Sequence, residues 1–360
     1  MAAQTGRLLA YIGTYTTGES EGIYIYSLDT SSGVLEEVGK TTGIENPTFL
    51  AIHPGRRYLY SVSEVRDYKG RHSGAVAAYS IDRRSGRLTH LNRQPSHGVG
   101  PCHVSVDRSG RFVLVANYES GSIAAFPIQR NGSLGDATEA IQHEGSSVDP
   151  RRQKGPHAHS INPSPDNRYM FVADLGLDKL LAYRFDSTAG KLALHQEARI
   201  RPGAGPRHLD FHPSGKHAYL INEIDSTMMA FAYDESDGKL TEIQTLPALP
   251  EGFSGASSCA DVHVHPSGRF LYGSNRGHDS IVIYEIDRRT GKLTTVGHEP
   301  SQGRNPRNFA IDPSGTFLFA ENQDSSTIVA FRIDRETGRL HPTGLTIEVP
   351  NPVCLKFMPV

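Results

Sequence analysis

The sequence predicts an all-β fold: one domain over residues 1–360, a seven-bladed β-propeller with four antiparallel strands per blade and a ring closed by strands from both termini. Three observations predict it. First, a sentence of the form Pro-x-x-apolar-x-apolar-His/Asp-Pro-Ser-Gly-Arg-aromatic-apolar-aromatic recurs about every fifty residues, clearest from Pro47, Pro101, Pro156, Pro206 and Pro306 and looser from Cys259. A period of that length marks a radial or stacked repeat. Second, each copy holds four short apolar stretches between turn residues and no helical periodicity, which selects propeller blades over helical solenoids. Third, the two ends of the chain carry complementary fragments of one further copy.

The elements follow in chain order. Leu8-Leu9-Ala10-Tyr11-Ile12 matches the second strand of the repeat, Gly22 to Asp29 the third and Gly33-Val34-Leu35 the fourth, with no first strand before them. The copy at Pro206 shows a complete set. Leu209 to Phe211 alternates as a strand, and His212-Pro213-Ser214-Gly215 is a turn in which Pro sets φ and Gly permits positive φ. Ala218 to Ile221, Met228 to Tyr233 and Leu240 to Ile243 are the second, third and fourth strands. At the other end, Asn351 to Pro359 reads as a first strand with nothing after it. Joined, the two ends complete a seventh blade and remove the free edge an open sheet would expose.

Composition excludes several classes. A formal charge of −2 gives no basic field for nucleic acid or anionic lipid. No apolar run approaches a membrane span, and Met1 to Arg7 lacks the layout of a secretory signal. Three cysteines, Cys102, Cys259 and Cys354, do not make a disulfide framework, and a reducing cytosol suits them. There is no Gly-x-Ser-x-Gly elbow, no phosphate loop and no zinc-spaced cysteine pair, and the absence of tryptophan excludes Trp-Asp repeats. No cofactor and no metal are expected.

Stacking the copies yields two columns. One follows the initial proline: Thr48, Cys102, His157, Arg207, Ala260, Arg307, Val353. The other lies just past strand two: Glu64, Tyr118, Leu175, Glu223, Arg276, Gln323, with Tyr15 or Thr14 in the incomplete copy. Antiparallel pairing puts both at the same end of the innermost strands, around one channel mouth. The column before the second, Ser63, Asn117, Asp174, Asn222, Asn275, Asn322, reads as backbone-bonding scaffold. His53, His212 and His265 read as turn residues. His157, Arg207, Glu223 and Arg276 break the repeat, with Arg307 and Glu64 of the same kind, and offer a base, a carboxylate and oxyanion-holding guanidiniums. Blade-tying salt bridges are the alternative. The polar stretch Glu144 to His159 lengthens one join and brings Arg151, Arg152 and Lys154 beside His157, which suits an anionic substrate as well as it suits a solvated loop. In this stacking His159 falls in a column of Leu50, Val104, Leu209, Val262, Phe309 and Leu355, and so reads as buried support.

These residues resemble the seven-bladed propeller lactonases, the family of propeller-type 6-phosphogluconolactonase, related to the fungal 3-carboxy-cis,cis-muconate lactonizing enzyme. The markers span the chain: Tyr11-Ile-Gly-Thr-Tyr15 with Gly22-Ile-Tyr24, Arg152-Gln153 leading into Gly155-Pro-His-Ala-His159, Gly205-Pro-Arg-His208, Asn222-Glu223 and Ser274-Asn-Arg276. The resemblance implies metal-independent hydrolysis of a sugar lactone, 6-phosphoglucono-1,5-lactone to 6-phosphogluconate, in the pentose phosphate pathway of the cytoplasm. It places the catalytic set on His157, Arg207, Glu223 and Arg276, with Glu223 or His157 activating water. Substrate contacts are expected from Arg152, Gln153, His159, Glu64, Asn275 and Arg307. The partner expected is a small anionic lactone, with no nucleic acid or membrane. Two other readings stay open: a lactonizing cycloisomerase acting on a muconate, and a non-catalytic ligand-binding or scaffold propeller.

Overall fold

The computed structural model of the chain describes residues 8–360. Among the described residues, twenty-eight strands form seven antiparallel sheets of four, arranged as a ring of blades. Six blades are contiguous in sequence. The seventh pairs Pro352–Pro359 as its innermost strand with Leu8–Thr14, followed outward by Gly22–Leu28 and Leu35–Thr42. The two ends of the chain therefore close the ring as the complementary fragments required.

Burial grades outward along each blade. In the fourth full blade the second strand His217–Asn222 is buried throughout, while the outermost strand Lys239–Pro247 alternates between solvent and the sheet. A strand covered on both faces reads as a continuous apolar run, and an outer strand keeps the alternation. Apolar clusters fill the seams between neighbouring blades, as where Leu114 and Ile123 meet Met170, Val172 and Leu181.

Two polar devices recur across those seams. A buried tyrosine on strand two donates its hydroxyl to a glycine carbonyl in the outer hairpin of the next blade: Tyr11 to Gly86 (2.9 Å), Tyr60 to Gly132 (3.1 Å), Tyr219 to Gly291 (3.2 Å) and Tyr272 to Gly338 (2.8 Å). The turn histidines do the same at the inner turns. Nε2 of His53, His212 and His265 each lies 2.9 Å from the carbonyl of Gly110, Gly268 or Gly315 in the following blade. These histidines are turn residues, as their register implied, and they also tie each blade to the next.

One irregularity repeats at the site. In five of the blades the innermost pair shifts register by one residue just after its first pairing, leaving Cys102, His159, Arg207, Arg307 and Val353 unpaired. In the fifth full blade the shift takes in Ala260 and Asp261. Such bulges re-aim a side chain; here they turn one residue per blade toward the channel axis.

Candidate active site

The register corrects one column. In the third full blade Ala158 faces Asp174, just as Pro206 faces Asn222, so His159 is the counterpart of Arg207. His157 stands two positions earlier, ahead of the strand, and the column of Leu209 holds Ile161 instead. The ring at the channel mouth is therefore Thr48, Cys102, His159, Arg207, Ala260, Arg307 and Val353. Most of it encloses a space of only about 10 Å³, so the channel is plugged just below the mouth.

Glu223 is the centre of the charged group. It is 4% exposed, and its carboxylate receives Arg207 Nε (3.0 Å), Arg152 Nη2 (2.5 Å) and Arg276 Nη2 (3.1 Å), with His159 Nε2 at 3.7 Å. Burial opposes its ionisation, but the cations Arg276, Arg207 and Arg152 overcome this and hold the carboxyl well below the usual range. It is a fixed anion and a weak base.

Arg207 is 2% exposed, and burial together with Arg276 and Arg307 lowers it to about 10. Its Nη1 donates to the Ala260 carbonyl and lies 3.3 Å from His208 Nε2. Arg276 Nη2 also donates to the Cys259 carbonyl (2.8 Å). His159 is buried, and burial with the nearby Arg207 holds its imidazole well below the ordinary value, so it is neutral.

His157 is half-buried at the rim. Its ring stacks on Tyr118 at 4.6 Å, and Nδ1 lies 2.8 Å from the Tyr118 carbonyl. A proton on Nδ1 donates to that carbonyl and leaves the Nε2 lone pair free. Its backbone N–H donates to Asp174 Oδ1 (2.7 Å), and Asp174 Oδ2 lies 2.7 Å from His143 Nδ1, whose Nε2 is 3.0 Å from the Tyr183 hydroxyl.

The other sequence candidates divide. Arg152 reaches the site, bonding both Glu223 and the Tyr118 hydroxyl (3.1 Å). Gln153 does not: it is fully buried, and its amide braces the loop by donating to the Leu175 carbonyl (2.8 Å) and accepting from Asp149 N (3.0 Å). Asn275 is likewise buried and donates to the Ala248 carbonyl (2.8 Å). Its column neighbours Asn117 and Asn322 do the same to Ser96 and Ser301, so the column is scaffold, as read. Glu64 and Arg307 form a second cluster across the mouth. Thr48 donates to Glu64 Oε2 (2.5 Å), and the Tyr15 hydroxyl donates to Oε1 (3.0 Å) while accepting from Arg307 Nη2 (3.2 Å). Burial pushes Glu64 above the usual carboxylate range against the pull of Arg307. Tyr15 and Tyr118 stood in the second column but were not selected; two aromatics there were the signal.

Among the described residues no group of three or more His, Cys, Asp or Glu is placed to hold a metal. Burial raises the thiol of Cys102 and lifts those of Cys259 and Cys354 to about 12, so none is an activated nucleophile.

The mouth thus gathers three guanidiniums around one fixed carboxylate, with an imidazole at the rim. The chain belongs to the family described as "Lactonase, 7-bladed beta-propeller", whose model matches residues 9–357. It is 41% identical to a 6-phosphogluconolactonase of Bacillus subtilis over 98% of this chain and 99% of that one. It is 38% identical to a 6-phosphogluconolactonase of Formosa agariphila over 84% of this chain and 86% of the other. The structure of a Pseudomonas aeruginosa periplasmic gluconolactonase superposes with a TM-score of 0.93 at 35% identity, covering 98% and 99% of the two chains.

Proposed function

We propose that the chain hydrolyses 6-phosphoglucono-1,5-lactone to 6-phosphogluconate, with His157 as the general base. The observation that carries the assignment of roles is the saturation of Glu223 by three guanidiniums. A carboxylate so neutralised is a poor proton acceptor, whereas His157 leaves Nε2 open at the rim. In this reading water, losing its proton to His157 Nε2, attacks the lactone carbonyl. The oxyanion is met by Arg207 and Arg276, which Glu223 holds in place without solvent reorganisation. The ring C–O bond then breaks, and His157 returns the proton to the departing alkoxide oxygen, which becomes the product's hydroxyl. The plugged channel confines the substrate above the ring. Arg151 and Lys154, both exposed on the loop that carries Arg152, would attract the phosphate in this reading. A cytoplasmic site of action is part of the same proposal, supported by three free buried cysteines; no helix among the described residues is long and apolar enough to cross a membrane.

The test mixes the protein with fresh 6-phosphogluconolactone, gluconolactone and a carboxymuconolactone and follows acid release against the spontaneous rate. The proposal expects the phosphorylated lactone to be turned over fastest. Preference for the carboxymuconolactone would replace it with the cycloisomerase reading, and silence on all three with a binding role.

A further inference from the structure

Below the mouth ring lies a second ring on the innermost strands: Phe49, His103, Ser160, His208, Asp261, Asn308 and Cys354. Asp261 is its single acid. It is 2% exposed and accepts from four groups. His208 Nδ1 (2.7 Å) and Val262 N (3.0 Å) bond Oδ1; His263 Nε2 (2.9 Å) and Asn308 Nδ2 bond Oδ2. Taking a carboxylate out of water is costly, and these four donors offset that cost.

Both contacts of Arg207 Nη1 depend on this residue. One is the carbonyl of Ala260, its chain neighbour inside the same bulge, and Asp261 N anchors that bulge to Ser274 Oγ (3.0 Å). The other is the His208 ring. Nδ1–H donates to Asp261, which fixes the ring, and Arg207 Nη1 lies across that ring, 3.3 Å from Nε2 and 3.4 Å from Nδ1. Without the carboxylate the imidazole loses the bond that holds it under the guanidinium.

We infer that Asp261 is a positioning residue for Arg207, acting from the far side of the mouth ring through the His208 ring it holds and the Ala260 bulge. The inference rests on the lactonase reading of the mouth. The side chains around Asp261 are His208, His263 and Asn308, with the buried Glu321 paired across from Asn308, with Arg207 and His103 near His208, and with Asp210 and Lys356 in the cavity of about 300 Å³ at the opposite mouth. Asp261 bears on the mouth through the groups it holds, chiefly the His208 ring and the Ala260 bulge that meet Arg207.

The experiment is a double-mutant cycle on 6-phosphogluconolactone hydrolysis with Asp261→Asn, Arg207→Ala and the double variant. Asp261→Asn is expected to lower kcat on the order of ten- to a hundredfold while KM stays within about threefold, as for a misaimed group that acts in the transition state. Added to Arg207→Ala it is expected to cost no more than about twofold further, because its target is gone. The inference is overturned if Asp261→Asn leaves kcat at the wild-type level, or if the two penalties multiply. Full turnover by Arg207→Ala would overturn it together with the lactonase reading, whereas multiplied penalties overturn it alone. If Asp261→Asn does not fold, His208→Gln carries the same cycle with the same expectations.

Discussion

At the residue scale, the charged mouth is built from groups that burial alone would neutralise. Glu223 stays ionised because three guanidiniums face it, and those guanidiniums tolerate one another because Glu223 sits between them. Glu223→Ala is therefore expected to abolish most activity and to cost about 3–5 kcal/mol of stability, since it leaves buried cations unpaired; urea unfolding measures this. The imidazoles set the acid limit. Burial, then Arg207, hold His208 down to about 4, below the value near 6.5 of the unfolded chain. The unfolded state binds the proton first, so this contribution is intact above pH 6.5 and is lost as pH falls toward 4, on the order of 3 kcal/mol. His159 and His103, also held well below the ordinary value, act in the same direction. Thermal midpoints between pH 7 and 4 should fall steeply, and less steeply in His208→Gln. Much of this site was legible in sequence: Arg207, Glu223 and Arg276 broke the repeat at matching positions. The exchange of His157 and His159 was not legible, for a local reason. That blade begins its strand with Ala158, and its turn is Ser164-Pro165-Asp166-Asn167, with Asn167 at φ 63° where four other blades use glycine and the first full blade uses Arg56. Pro156 then imitates a strand start two residues too early.

At the element scale, the inner-strand bulge does the aiming and the turns do the stapling. Neither Gln153 nor Asn275 faces the mouth, because a pattern of residue types carries no signal of which face a bulged or looped backbone presents. The turn glycines show how tightly the staples fit. At Gly268, φ is 70°, and an added Cβ would meet His212 Nε2 at 2.6 Å. Gly268→Ala is expected to destabilise the fold by more than about 1 kcal/mol, combining strained backbone with displacement of the staple. A weaker loss of about 1 kcal/mol is expected for Tyr219→Phe, which removes the hydroxyl bond to Gly291 and leaves the ring in place. Denaturant midpoints distinguish the two.

At the scale of the whole molecule, ring closure by Pro352–Pro359 is the step that makes seven sheets one body, since this strand packs against the innermost strands of both neighbouring blades. Removing residues 351–360 bares the Leu8–Thr14 edge and is expected to give aggregated protein on gel filtration. The ring was the most legible feature of the sequence, because each blade repeats the same local solution; the plug was not, because it depends on side chains from several blades meeting at the axis. The central claim is that this mouth, with His157 at its rim, hydrolyses a sugar lactone. Its most direct test is the rate of acid release from 6-phosphogluconolactone by His157→Ala, with the thermal midpoint as a check on folding. A folded variant slowed on the order of 10²–10⁴-fold is the predicted result; a folded variant that retains wild-type turnover would contradict the account.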